Sequence, residues 1–160
     1  MTSKKLEVIA EPGKTSFSTR RVVDAPRALV FEAFTKCEHL KRWMGPCHLT
    51  MVSCETDLRV GGRFRVRFRM LDGSEHESQG EYLELVKPER VVFSWRWTGG
   101  QEDPGISRVE IRLRAIPEGT ELTFTHALLH DEEARRSHEA GWLGSLDKLE
   151  AHFAGGEAST

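Results

Sequence analysis

The stretch Gly62-Arg63-Phe64-Arg65-Val66-Arg67-Phe68-Arg69-Met70 alternates strictly between apolar and positively charged side chains. Successive side chains of a β-strand point to opposite faces of the sheet. The pattern therefore predicts a strand with Phe64, Val66 and Phe68 on a dry face and four arginines on a wet face. An antiparallel sheet of this kind buries its dry face against a second layer of the fold.

Similar stretches occur before and after this strand, and short turns separate most of them. Asp72-Gly73, Lys87-Pro88-Glu89 and Glu118-Gly119 each carry turn residues. The predicted strands cover residues 15–23, 48–55, 62–70, 75–86, 90–98, 108–114 and 121–129. From residue 48 onwards, strands at hairpin spacing with no helix between them indicate an antiparallel meander.

Three helices complete the pattern. Asp24-Ala25-Pro26 predicts the start of a short helix, with Asp24 as its capping residue. Thr35-Lys36-Cys37-Glu38 fits a capping box for a second short helix that ends near Trp43. A long C-terminal helix follows a cap at Asp131 or His130 and stops at Gly155-Gly156. Its apolar stripe, the expected cover of the dry face, is formed by Trp142, Leu146, Leu149 and Phe153.

These elements predict one α+β domain over residues 14–154, with flexible tails at 1–13 and 155–160. A short strand within residues 1–13 is the alternative for the first tail. A chain of 160 residues with 38% hydrophobic residues suffices for a single core. We expect a curved antiparallel sheet of about six to seven strands wrapped around the long C-terminal helix. Two short helices follow the first strand.

Composition excludes several classes of function. A net charge of −2 does not suit a protein that binds nucleic acid or a membrane surface. No apolar run is long enough to insert into a membrane, and no signal peptide is visible. The three cysteines are odd in number and form no CxxC pair, so we expect reduced thiols and a cytoplasmic location. Cys37 and Cys47 are expected to be small buried fillers.

The local sequence resembles the START-like (SRPBCC) superfamily and, within it, the small single-domain branch of the family named for the activator of heat-shock-protein-90 ATPase. The resemblance spans about residues 15–153. The matching segments are Asp24-Ala25-Pro26 with Val30-Phe31, Trp43 with Gly45-Pro46, Gly61-Gly62-Arg63-Phe64, Gly80-Glu81-Tyr82-Leu83-Glu84-Leu85, Pro88-Glu89-Arg90-Val91-Val92-Phe93-Ser94-Trp95, Thr120-Glu121-Leu122-Thr123-Phe124-Thr125-His126, and Gly141-Trp142 with Leu146-Asp147-Lys148-Leu149. The resemblance implies a helix-grip fold, whose central space holds lipids, hormones, polyketides or other hydrophobic molecules in the superfamily.

Inward-facing aromatic residues suit the wall of such a space, although plain core packing explains any one of them equally well. Pockets for small ligands are mainly apolar with a few placed polar groups. The residues expected to bind the ligand are Trp43, Phe64, Phe68, Phe93, Trp95, Phe124, His126, Trp142 and Leu146.

His126 is the titratable residue of greatest interest. It shares a strand face with Leu122 and Phe124, so its imidazole should lie under the long helix. Three roles stay open: a satisfied core group, a group that orients the ligand, or a weak candidate for acid–base catalysis. No HExxH motif, zinc-type Cys/His spacing or GxSxG motif occurs, so we expect no metal, no cofactor and no hydrolytic triad.

Three classes of function follow. The first is non-covalent binding of a small hydrophobic or aromatic molecule by a monomer or homodimer. The second is a cyclase- or dehydratase-like enzyme that uses the same cavity. The third is a chaperone-associated interaction module that uses the arginine stripe of residues 63–69 or an exposed sheet edge. An alternative for that stripe is a solvated strand face, because glutamates on a neighbouring strand would pair with it.

Overall fold

The computed structural model describes residues 7–10, 15–44, 50–98 and 106–154. The strands are β1 (Glu7–Ala10), β2 (Phe17–Val23), β3 (Thr50–Thr56), β4 (Arg63–Arg69), β5 (Glu75–Val86), β6 (Arg90–Thr98), β7 (Ser107–Ile116) and β8 (Gly119–Ala127). The helices are α1 (Arg27–Thr35), α2 (Cys37–Trp43) and α3 (Glu132–Ala154). No helix in these ranges is long and apolar enough to cross a membrane.

All strands join one antiparallel sheet in the order β1-β2-β8-β7-β6-β5-β4-β3. This confirms the predicted α+β fold, with two short helices between β2 and β3 and one long helix at the end. The sheet has one strand more than the expected six to seven, because residues 7–10 pair with β2. This is the short strand that the sequence left as an alternative to a tail. The rest of that tail, the start of the strand predicted over 48–55, and the tail at 155–160 with its Gly155-Gly156 stop lie outside the described residues.

The alternation in β4 sets the two faces of the sheet. Phe64, Val66 and Phe68 are buried, while the arginines between them are exposed. These arginines lie beside glutamates of β5, as the solvated-face interpretation requires. The shortest contacts join Arg65 to Glu77 at 3.3 Å, Arg67 to Glu77 at 3.1 Å, and Arg69 to Glu75 at 3.3 Å.

Helix α3 covers the dry face, as predicted. Trp142, Leu146 and Leu149 are buried, and Phe153 packs against the core. An unpredicted ion-pair cluster fixes the C-terminal half of the helix. Arg21 of β2 has a side chain only 2% exposed, and its Nη1 donates to Asp147 Oδ1 at 2.8 Å and to Glu150 Oε2 at 2.7 Å. Sequence reasoning missed Arg21 because the alternation in residues 15–23 is weak.

Helix capping follows the prediction at one site and departs from it at two. Asp131 Oδ1 accepts from the backbone N–H of Ala134 at 2.8 Å and caps α3. Helix α1 begins after Pro26 without a side-chain cap, so Asp24 does not cap it. The capping box of α2 is also wrong. The Thr35 hydroxyl donates to the Phe31 carbonyl of α1 instead, because Thr35 is still the last residue of that helix.

The expectation of reduced thiols is wrong for two of the three cysteines. Cys37, the first residue of α2, forms a disulfide with Cys54 of β3, with 5.8 Å between their Cα atoms. The two cysteines meet because α2 packs against β3, a contact that neither the odd count nor the missing CxxC motif predicts. Cys47 lies outside the described residues. The cysteines therefore give no support to a cytoplasmic location, which stays a prediction.

The disulfide predicts the number of reactive thiols. Protein purified without reductant and unfolded in denaturant should add one maleimide, from Cys47, and should add three after reduction. Mass spectrometry counts the additions. The Cys47→Ser variant should add no maleimide before reduction and two after it. Three additions before reduction would contradict the bond.

Because the Arg21 guanidinium is buried, removing its two carboxylate partners should destabilise the fold more than removing Arg21 itself. The double variant Asp147→Asn, Glu150→Gln leaves a buried charge without counter-ions and should lower the free energy of unfolding by about 3–5 kcal/mol. Arg21→Met should lower it by only about 1–2 kcal/mol, because the remaining carboxylates can turn toward solvent. Urea denaturation measures both changes. Equal decreases in the free energy of unfolding would contradict the conclusion that the buried Arg21 charge needs its two carboxylate partners.

Candidate ligand cavity and histidine pair

Aromatic side chains from the sheet and from α3 form a continuous chain of contacts in the interior. Phe64 and Phe93 have ring centroids 5.1 Å apart, and Phe93 lies 6.4 Å from Trp95. Trp142 of α3 contacts Trp95 at 5.1 Å and Phe124 at 4.6 Å. This chain connects β4, β6 and β8 to the covering helix.

A small cavity lies along this chain, between the sheet and the helices. Its volume is about 20 Å³. Its lining residues are Phe34, Leu40, Trp43, Met44, Thr56, Phe64, Val66, Tyr82, Phe93, Trp95 and Trp142. A space of this volume holds about one water molecule, whereas a benzene ring occupies a cavity of roughly 150 Å³. In this conformation the interior is therefore nearly filled by its own side chains.

Helix α2 forms one wall of the cavity and is anchored on both sides. Trp43 packs edge-on against Phe34 at 4.9 Å, and its indole Nε1–H donates to the Ala33 carbonyl at 2.9 Å. The disulfide from Cys37 holds the other end of the helix to β3. Met44 follows Trp43 directly and is half-buried at the cavity wall, without any of these anchors.

Five of the nine residues expected to bind a ligand line the cavity, namely Trp43, Phe64, Phe93, Trp95 and Trp142. The other four lie in the same core but outside the lining. Phe68 packs against Trp97 at 5.9 Å, and Phe124 lies beneath Trp142. Leu146 and His126 are completely buried. A role for any of the nine in binding stays a prediction.

Six lining residues were missed: Phe34, Leu40, Met44, Thr56, Val66 and Tyr82. Val66 could have been found, because it lies between Phe64 and Phe68 on the predicted dry face. Tyr82 was obscured by a register shift between Tyr82 and Glu84, which turns Tyr82 inward and leaves Leu83 exposed. Burial raises the pKa of Tyr82 to about 12, so its hydroxyl stays protonated in the neutral pH range.

A cluster of polar side chains, His126, Ser107 and His138, borders the cavity at Trp95. The ring centroids of His126 and Trp95 are 5.8 Å apart. His126 Nε2 lies 2.7 Å from the Ser107 hydroxyl, which is also 3.3 Å from the Trp95 carbonyl oxygen. His138 of α3 contacts His126 with 5.2 Å between ring centroids, and its Nδ1–H donates to the Ala134 carbonyl. His126 therefore lies under α3, as its strand position predicts.

Burial keeps both imidazoles neutral near pH 7. The pKa of His126 lies well below its ordinary value, first because burial disfavours the charged form and second because His138 is close. Burial also lowers the pKa of His138, although its hydrogen bond to Ala134 opposes this shift. Among the described residues, no group of three or more His, Cys, Asp or Glu side chains is arranged to hold a metal ion.

The sequence profile of the "Activator of Hsp90 ATPase homolog 1-like protein" family matches residues 24–154. The chain belongs to this family. The match includes both short helices, α3 and every strand from β3 to β8, so the cavity and the histidine pair lie within the family domain. No curated protein matches the chain significantly.

Solved structures from several bacteria share this fold. Protein CV1439 from Chromobacterium violaceum is 30% identical over 86% of this chain and 95% of its own, with a TM-score of 0.79. The AHSA1 protein from Silicibacter pomeroyi is 25% identical over 87% of this chain and 97% of its own, with a TM-score of 0.76. CalU16 from Micromonospora echinospora is 28% identical over 89% of this chain and 81% of its own, with a TM-score of 0.65.

The neutral histidines predict that acid destabilises the fold. An unfolded histidine binds its proton below a pKa of about 6.5, whereas His126 and His138 resist protonation in the folded protein. The unfolded state therefore binds more protons, and stability falls as the pH falls through this range. His126 should contribute up to about 1.4 kcal/mol of this loss per pH unit below 6.5.

Urea denaturation at pH 7.5 and pH 5.5 measures this loss. The His126→Gln variant should show a smaller difference between the two pH values than the unsubstituted protein. The matched control is His130→Gln, because His130 is exposed and should leave the difference unchanged. An unchanged difference in His126→Gln would rule out the proposed burial effect.

Proposed function

We propose that the protein binds a small hydrophobic or aromatic molecule between the sheet and α3, in a space that widens from the present cavity. The observation that carries the proposal is the lining itself, whose described residues are apolar or aromatic apart from Thr56 and the Tyr82 hydroxyl. Ligand sites in proteins have this composition. The AHSA1/SRPBCC fold, which commonly binds ligands, also supports it.

The small volume of the cavity requires side chains to move when a ligand enters. Met44 is the lining residue best suited to move. Its side chain is half-buried, and methionine is flexible enough to fill an irregular gap and to leave it again. Trp43, by contrast, is held by its hydrogen bond to Ala33. We infer that the ligand displaces Met44 and then contacts Trp95 and Trp142.

A catalytic alternative uses the same interior, with His126 transferring a proton. The neutral imidazole and its contact with Ser107 favour this alternative. His126→Gln separates the two functions. An enzyme would lose turnover while it still bound its substrate, whereas a binding protein has no turnover to lose.

A chaperone-associated role is the third class, and the family description suggests it. Its expected surface is the arginine stripe of β4 or an exposed sheet edge. Arg65, Arg67 and Arg69 already contact Glu75 and Glu77, so their charge is largely compensated within the sheet. This compensation weakens the case for the arginine stripe as a surface for a protein partner.

Two substitutions in the lining should change binding in opposite directions. Met44→Ala removes the displaceable side chain and should tighten the binding of N-phenyl-1-naphthylamine, an uncharged fluorescent probe, by about tenfold. Val66→Phe fills the cavity and should weaken binding at least tenfold. Leu71→Phe is the matched control, because Leu71 is 83% exposed and lies outside the lining.

Probe fluorescence gives the dissociation constants, and circular dichroism checks that each variant folds. Met44→Ala tests the proposal even if Val66→Phe does not fold. Equal dissociation constants for Met44→Ala, Leu71→Phe and the unsubstituted protein would contradict binding in this cavity. The same conclusion would follow if the probe did not bind at all.

A further inference from the structure

Several buried polar atoms lack a hydrogen-bond partner within the described part of the chain. Two of them belong to neighbouring side chains, namely Nε1 of Trp95 and Nδ1 of His126. Trp95 is 5% exposed and His126 is fully buried, so bulk solvent does not reach these atoms. Buried polar groups in native proteins are nearly always paired, and an unpaired one calls for an explanation such as a bound molecule.

Trp95 has a special position among these atoms. Of the described side chains with an unpartnered buried polar atom, Trp95 alone lines the cavity. Its indole lies between the apolar lining and the histidines, 5.1 Å from Trp142 and 6.3 Å from His138 by ring centroids. A ligand ring beside Trp95 therefore lies close to the polar group of the interior.

The hydrogen-bonding roles of these two nitrogen atoms limit which ligand groups can pair with them. Indole Nε1–H only donates. The role of His126 Nδ1 depends on Ser107. If the Ser107 hydroxyl donates to His126 Nε2, then Nδ1 carries the proton and donates. If the hydroxyl donates to the Trp95 carbonyl instead, Nε2 carries the proton and Nδ1 accepts. A carbonyl oxygen fits the first arrangement and a hydroxyl group fits the second.

The surroundings disfavour a charged ligand. None of the described residues that line the cavity is charged. Both neighbouring imidazoles are neutral near pH 7, because burial lowers the pKa of His126 and His138. A carboxylate or an ammonium group would lose its hydration here without gaining a counter-ion.

We propose that the ligand is an uncharged hydrophobic or aromatic molecule with a hydroxyl or carbonyl oxygen, and that Trp95 Nε1–H donates a hydrogen bond to this oxygen beside His126. This inference rests on the proposed function and adds the chemical class of the ligand. It also gives Trp95 two roles: its ring forms part of the cavity wall, and its N–H makes the specific polar contact with the ligand.

The test compares 2-naphthol with 2-methylnaphthalene, in which a methyl group replaces the hydroxyl, and with 2-naphthoate, which is charged. Dissociation constants come from displacement of N-phenyl-1-naphthylamine at pH 7. The unsubstituted protein should prefer 2-naphthol over 2-methylnaphthalene by about tenfold and should bind 2-naphthoate weakest. Trp95→Phe keeps an aromatic ring but removes the N–H, so this preference should fall to near one.

Trp97→Phe is the matched control. Trp97 lies next to Trp95 on the same strand face, 6.5 Å away by ring centroids, and does not line the cavity. This variant should keep the preference for 2-naphthol. A second readout needs no variant: the Trp95 indole proton should move downfield in the NMR spectrum with 2-naphthol and not with 2-methylnaphthalene.

The outcomes separate this inference from the proposed function. If both uncharged compounds bind equally well to the unsubstituted protein, or if Trp95→Phe keeps the preference, the cavity binds ligands but Trp95 does not select them. If neither compound binds, the proposed function fails and this inference fails with it. Preferred binding of 2-naphthoate would overturn the assignment of an uncharged ligand.

Discussion

Helix α3 is held to the sheet by a buried guanidinium near its C-terminal end and by aromatic contacts nearer its N-terminal end. The rest of the interior depends on this attachment. Arg21 joins β2 to Asp147 and Glu150, while Trp142 packs on Trp95 and Phe124. These contacts hold the helix against the aromatic interior of the sheet.

The described conformation lies close to a packed core. The cavity leaves room for about one water molecule, and aromatic rings fill most of the space between the layers. Binding therefore depends on which parts of the wall give way. Trp43 and Cys37 anchor α2, whereas the side chain of Met44 at the end of this helix has neither kind of anchor. The unpaired Trp95 N–H is the complementary sign of an incomplete interior, because a permanently closed core would be expected to satisfy it.

Much of the fold could be predicted from the sequence, because it depends on local periodicity. The alternation in β4 and the apolar stripe of α3 each identify one buried face, and both faces are buried as expected. The position of His126 also followed from strand parity. The short-range patterns failed at two places. The capping box failed for a local reason, because α1 extends to Thr35 and the Thr35 hydroxyl bonds back into that helix. The disulfide was missed because Cys37 meets Cys54 only where α2 packs against β3.

The candidate site was harder to predict than the fold, because a cavity depends on how side chains from distant segments pack together. Parity identifies inward side chains but does not say which of them border an empty space. Phe68 and Phe124 face inward with Phe64, yet only Phe64 lines the cavity. Tyr82 lies at a bulge, where parity is lost. The two partners of Arg21 are each more than 120 residues away, and no local pattern indicates them.

The most direct test of the account is an NMR titration of protein labelled with ¹³C at its methionine methyl groups. Met44 lines the cavity, and a Met44→Leu spectrum assigns its signal among the four methionines. On addition of unlabelled 2-naphthol, the Met44 signal should shift until one molecule is bound and should show nuclear Overhauser contacts to the naphthalene ring. An unchanged Met44 signal at saturating 2-naphthol would contradict the claim that the interior opens to a ligand.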